Sequence, residues 1–114
     1  MEATNAVLML KSLDCLSLRM QVLAQNIANA GTPRYRPMQL TFEDALRAAA
    51  ADGDAAVAAF APTPEPAPPV SGSADLRLDL ELADASATAG RYGSLIDILN
   101  RQLQLQSLAI GGSN

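Results

Sequence analysis

Between Thr4 and Ala30, apolar residues return at every third or fourth place: Ala6, Met9, Leu13, Leu16, Met20, Leu23, Ile27 and Ala30. An unbroken 3-4 spacing over more than three heptads marks a helix that packs along its length against another helix. Only Lys11, Asp14 and Arg19 carry charge in this stretch, while Leu8, Leu10, Leu18 and Val22 add apolar surface off the main stripe. A helix with a solvated outer face carries more charge than this. Several faces are therefore expected to be covered, and no single partner helix covers them all. The front helix is an assembly element with a seam of Met9, Leu13, Leu16, Met20, Leu23 and Ile27.

The end of the chain repeats the pattern. Ala89, Tyr92, Ile96, Leu99, Leu103, Gln106 and Ile110 keep the same spacing and predict a helix from about Gly90 to Ile110, with Asp84 as its earliest start. Its seam is Tyr92, Ile96, Leu99, Leu103 and Ile110, and the polar Gln106 serves to fix register. With 114 residues there is room for one small domain. The expected fold is all-α: long N-terminal and C-terminal helices pair as a coiled-coil-like hairpin around a short helix and an irregular Pro/Ala-rich middle.

Local signals divide the chain further. Thr4 is placed to cap the front helix, Gly31 to end it in a left-handed conformation, and Pro33 to block its continuation. Residues Thr32 to Gln39 then form an ordered, irregular arm. Thr41 caps a short helix over Phe42–Ala51, with Glu43 and Asp44 in its first turn and Phe42, Ala45 and Leu46 as its contact face. Asp52-Gly53-Asp54 ends it. Pro62, Pro64, Pro66, Pro68 and Pro69 exclude helix or central strand, which leaves a flexible or polyproline-type loop from Ala55 to Ser73. Leu76-Arg77-Leu78-Asp79-Leu80-Glu81-Leu82 alternates perfectly and predicts a half-buried strand, or an extended segment lying on the helices. The organisation is thus residues 1–47 with the front helix, arm and start of the short helix, residues 48–75 as a flexible linker, and residues 76–114 with the extended segment and closing helix.

The composition argues against most chemistry. The net charge of -4 and the lack of a basic cluster beyond Arg34 and Arg36 argue against nucleic acid. There is no histidine, the commonest general base and metal ligand. No serine or threonine stands in a nucleophile-elbow setting. Asp52-Gly53-Asp54 lacks the remaining ligands of a calcium loop, and Asp79 and Glu81 form a solvated face. Cys15 stands alone, so it forms no intramolecular disulfide and serves as a small packing residue. No catalytic residue, cofactor, metal site or small-molecule substrate is expected. Met1-Glu2-Ala3-Thr4 lacks the features of a secretory signal, and no apolar run approaches a membrane span.

The front helix closes on Ala24-Gln25-Asn26-Ile27-Ala28-Asn29-Ala30-Gly31-Thr32-Pro33-Arg34-Tyr35. This run resembles the A-x-N-I-A-N-x-x-T-P-x-Y signature of the flagellar basal-body rod proteins, an axial family shared by rod and hook components. Ala24, Asn26, Ile27, Ala28, Asn29, Thr32, Pro33 and Tyr35 match it in order. Leu40 to Leu46, with Phe42 and Glu43, is similar to the F-x-x-x-L continuation of proximal-rod members, and Leu78-Asp79-Leu80-Glu81 to the V-D-L-E stretch before their closing helix. The tail Leu108-Ala109-Ile110-Gly111-Gly112 resembles theirs loosely. Two departures stand out: Arg34 occupies a position that is usually Gly in the family, and the Pro/Ala-rich middle is this chain's own. Hook and distal-rod relatives insert β-domains between the terminal helices, for which this length leaves no room.

The resemblance implies a non-enzymatic subunit of the proximal rod that self-assembles through its terminal helices and is needed for motility. Its implied partners are copies of itself, other rod proteins, the rod–membrane-ring junction and the flagellar type III export apparatus. Its implied place is the periplasmic rod of the bacterial flagellum, reached without a cleaved signal peptide. The alternative is a small cytosolic coiled-coil adaptor or export chaperone that binds a partner helix.

Overall fold

The structure, a computed structural model, describes residues 3–69 and 72–112. In chain order its elements are α1 (Ala3–Ala28), β1 (Met38–Gln39), α2 (Glu43–Ala51), α3 (Asp54–Ala59), β2 (Glu65–Pro66) and α4 (Ala74–Gly112). The fold is all-α in class, with two long terminal helices that pair antiparallel and form the largest contact between elements. At about 1.5 Å per residue the 39 residues of α4 span about 58 Å. This helix sets the long axis of a body measuring 63 × 26 × 18 Å.

Two faces of α1 are covered, by different partners, while Leu10 and Met20 remain exposed. Leu13, Leu16 and Leu23 of the seam are buried. A second face carries Cys15 and Val22, which join Leu16, Leu40, Phe42, Leu46 and Val57 in the hydrophobic core. That core lies between α1 and the short elements of the middle, with Tyr92 and Leu95 of α4 packed against it. Each such aliphatic side chain contributes about 1.5–3 kcal/mol on burial. Val57 is the most buried of them at 1 % exposure. It sits on α3, within a stretch expected to be loop with little to bury. Asp54 in the first turn and the alanines around Val57 make six residues helical, and one valine anchors them to α1. Lys11 fastens the far end, donating to the Ala58 (3.1 Å) and Phe60 (2.9 Å) carbonyls where the helix runs out of internal donors.

Three local expectations require correction. The alternating stretch Leu76–Leu82 is neither a strand nor an extended segment but the opening of α4. It contains no β-branched residue, and Leu, Arg and Glu are strong helix formers. No paired strand was there to override that preference. Ser73 starts the helix by accepting the Leu76 N–H on its hydroxyl (3.1 Å), and Asp75 favours the first turn. At the front, α1 already includes Ala3, so Thr4 lies inside the helix instead of capping it. Thr41 does not cap α2 either: Phe42 is the capping position and has no side-chain cap. Glu43 reaches back to accept the Phe42 N–H (3.3 Å) instead.

The seam of α4 is rotated from its expected position. From Glu81 onward its covered residues are Glu81, Ala85, Thr88, Tyr92, Leu95, Leu99, Gln102 and Gln106, a strict 4-3 repeat, with Ile96 also half-buried. Of the residues in the expected seam, Tyr92, Ile96, Leu99 and Gln106 are half-buried, whereas Ala89, Leu103 and Ile110 are exposed. Following the largest apolar residues led outward, because the real seam admits Glu81, Thr88 and two glutamines.

Candidate functional site: the joint between α1, the arm and α4

The family-like run at the end of α1 folds into one hydrogen-bonded joint. The helix stops at Ala28, and Asn29 remains over its last turn, donating from Nδ2 to the Gln25 carbonyl (2.9 Å). Asn29 Oδ1 in turn accepts the Thr32 hydroxyl (3.1 Å). Thr32-Pro33-Arg34-Tyr35 then makes a β-turn closed by the Tyr35 N–H on the Thr32 carbonyl (3.2 Å). Proline at the second position and a positive φ of 65° at the third, Arg34, are the signature of a type II turn. Glycine is the usual residue there because it has no Cβ to clash. The left-handed residue is thus Arg34, and Gly31 is not among the described residues with positive φ. This gives a physical reason for the Gly at that position in the rod family.

The turn brings Tyr35 back to the helix. Its hydroxyl donates to Asn26 Oδ1 (3.0 Å). Asn26, 4 % exposed, is the hub of the joint. Its Oδ1 also accepts the Met38 N–H (3.0 Å), while its Nδ2 donates to the Met38 carbonyl (2.7 Å) and to Glu81 Oε2 (3.0 Å). An asparagine amide has two donors and two acceptor sites, and all four are used here. The amide orientation follows, since reversing it would set the nitrogen against the Met38 N–H and the oxygen against the Met38 carbonyl and the Glu81 carboxylate. Toward Met38 the amide acts as a neighbouring strand would, pairing with both the N–H and the C=O of one residue.

Glu81 completes the joint from α4. It is 8 % exposed, and its second oxygen accepts Arg77 Nε (3.0 Å) one turn earlier on the same helix. Arg77 also donates to the Pro68 carbonyl (3.4 Å). A buried carboxylate is costly unless paired and hydrogen-bonded, and here it is both. Four segments therefore meet at Asn26: the end of α1, the turn, β1 and the start of α4. The alternation of Leu76–Leu82 concealed Glu81 and Arg77 by suggesting a solvated strand face. The usable signal was the 4-3-4 spacing of Glu81 with Ala85, Thr88 and Tyr92.

A second junction lies about two turns up α1. Arg19 forms a two-pronged pair with Glu43 (2.8 and 2.6 Å), donates through Nε to the Leu40 carbonyl (3.0 Å) and stacks 4.5 Å above the Phe42 ring. The hydrogen bonds from Arg19 hold the Glu43 carboxyl down at about 2. Cys15 lies buried nearby, and burial pushes its thiol pKa up.

The remaining motif residues serve geometry. Ile27 is half-buried, while Ala24 and Ala28 are exposed small residues. Among the seam residues, Met9, Tyr92, Ile96 and Leu99 are half-buried, whereas Met20, Leu103 and Ile110 are 37 %, 49 % and 70 % exposed. No group of three or more His, Cys, Asp or Glu residues placed to hold a metal occurs among the described residues. No helix among them is long and apolar enough to cross a membrane.

Comparison with known proteins finds one informative likeness. Over 37 residues, 32 % of this chain, the sequence is 51 % identical to the flagellar basal body rod protein FlgB of Borrelia hermsii. The match spans 27 % of that relative's length. No protein-family profile matches the chain, and no solved structure does. The likeness supports a link to flagellar rod proteins over about a third of the chain.

Proposed function

We propose that this chain is a structural, non-enzymatic subunit of the bacterial flagellar basal-body rod, most like the proximal-rod protein. The observation that carries the reading is the joint at Asn26. The polar residues that match the family signature, Asn26, Asn29, Thr32 and Tyr35, each have a side-chain partner there, so the run is one mechanical unit that sets the angle between helix, arm and closing helix. The partial likeness to a FlgB protein points the same way.

Assembly is the function this geometry suits. Leu10, Met20, Leu76, Leu80, Leu82, Ile98, Leu105 and Leu108 are between 37 % and 71 % exposed. They are spread along both helices, as lateral contacts between neighbouring copies require. Heterologous contacts repeated from copy to copy build helical structures. On this reading the partners are further copies, other rod proteins and the membrane-ring junction, and the chain reaches the periplasmic rod through the flagellar export apparatus.

Mass spectrometry of purified hook–basal bodies, with an export-defective strain as control, tests the proposal. The chain is expected in basal bodies at low copy number and confined to the cytosol in the control. A soluble cytosolic pool in both strains, with none in intact basal bodies, would overturn the rod reading in favour of a cytosolic adaptor.

A further inference from the structure

The proline run has a regularity that the rod reading does not use. Pro62, Pro64, Pro66 and Pro68 occupy every second position, and the middle of this run is the strand β2. It pairs antiparallel with β1, Met38 opposite Pro66 and Gln39 opposite Glu65. In an extended chain, successive N–H groups point to opposite edges. The Ala67 N–H points inward and donates to the Pro37 carbonyl (2.9 Å). By alternation the Glu65 N–H points inward too, and the nitrogens of Pro64, Pro66 and Pro68 point outward. Those three carry no hydrogen.

We infer that the alternating prolines are an edge cap, which closes the small sheet against β-strand addition by a second copy of this chain. The outer edge of β2 offers carbonyls but no donors, so an approaching strand cannot form a two-way ladder. One of these carbonyls, at Pro68, is already taken by Arg77. The other edge of the sheet is closed as well, because the Asn26 amide occupies both the N–H and the C=O of Met38. No inward hydrogen bond is sacrificed, since every proline in the alternation falls on the outward register. Positions 65 and 67, where the ladder to β1 needs a donor, carry Glu and Ala, and Pro69 lies beyond the paired residues. The cap suits a chain that exposes many leucines along its helices.

The test uses the full-length chain with Pro64→Thr and Pro66→Thr together, which restores two outward donors without touching the inward pairing. Size-exclusion chromatography with light scattering, run over a concentration series, reports association. Infrared amide spectra of the same samples report whether any association is of the intermolecular β type. The double variant is expected to gain concentration-dependent assembly with a new intermolecular β signal, while its helical circular dichroism is retained. Glu65→Thr removes a charge and raises β propensity at an inward position, and is expected to behave as the wild type. If the Thr pair loses its helical signal, Pro64→Ala with Pro66→Ala restores the same donors at lower β propensity and is expected to assemble more weakly. Unchanged association in a folded double variant, or equal β assembly by Glu65→Thr, would overturn the inference. Because the readout is β-type association, loss of the rod reading would leave it untouched.

Discussion

Asn26 links four segments through one amide, whose two donors and two acceptor sites are all used. Leucine at this position would strand the Met38 N–H and carbonyl, the Tyr35 hydroxyl and one oxygen of Glu81. A buried polar group left without its partner costs about 1–3 kcal/mol. Relief by water and local movement keeps the total below a simple sum, so Asn26→Leu is expected to cost about 3 kcal/mol in urea unfolding. Tyr35→Phe removes one bond of the set and is expected to cost about 1 kcal/mol. Equal effects from the two substitutions would show that Asn26 is no hub. Arg34 gives the opposite case: a left-handed φ strains a residue with a Cβ by about 1 kcal/mol or more. Arg34→Gly relieves that strain but adds freedom to the unfolded chain, for a net gain expected near 0.5 kcal/mol, read as a higher urea midpoint.

At the level of elements, the middle of the chain is held to α1 by charge at two points and by the apolar side chains Leu40, Phe42, Leu46 and Val57. The Glu43 carboxyl, depressed to about 2 by Arg19, makes one tie dependent on pH. A depressed carboxyl contributes stability above its unfolded value, near 4.5, and loses it as the pH falls through about 2. The Glu43 side chain is 48 % exposed, so solvent screening holds the contribution to about 1 kcal/mol. Urea unfolding stepped from pH 7 to pH 2 should show a decline in that window that Glu43→Gln lacks. Val57→Asp attacks the other tie by placing a carboxylate where 1 % of the residue meets solvent. The expected result is release of α3, seen as rapid proteolysis between Ala51 and Ser73 while α1 and α4 stay paired. Simultaneous loss of all helical signal would mean that the middle and the helix pair form a single cooperative unit.

The whole molecule is a helix pair of unequal length. Continuing the two helices back from the Asn26–Glu81 contact at equal rise brings Ala3 opposite about residue 104. Beyond that point α4 runs past the first described residue of α1, and Leu105 and Leu108 are 60 % and 71 % exposed there. If copies associate through outer faces, Leu105→Gln with Leu108→Gln should leave the melting temperature of the isolated chain unchanged and abolish swimming. Normal motility in that strain would remove these residues from the assembly surface. Leu16→Asp is a poorer probe, because Leu16 is buried in the core and its loss unfolds the chain before any contact between copies is tested.

The all-α class and the two long helices were legible because 3-4 spacing over several heptads has no other good solution. The polar members of the joint were legible only as a string of letters, through their resemblance to a family. Spacing alone could not say that Asn26 would turn to Met38 and Glu81 while Asn29 stayed on its own helix. Those partners lie 12 and 55 residues away in the chain, and no local pattern encodes a contact at that separation. The same holds for the rotated seam of α4 and for Val57. Which stripe of a low-charge helix becomes buried depends on what the rest of the chain brings against it. Local propensity and periodicity determined that there would be helices and roughly where; only tertiary packing decided which faces they turned to each other, because burial is a property of pairs of surfaces.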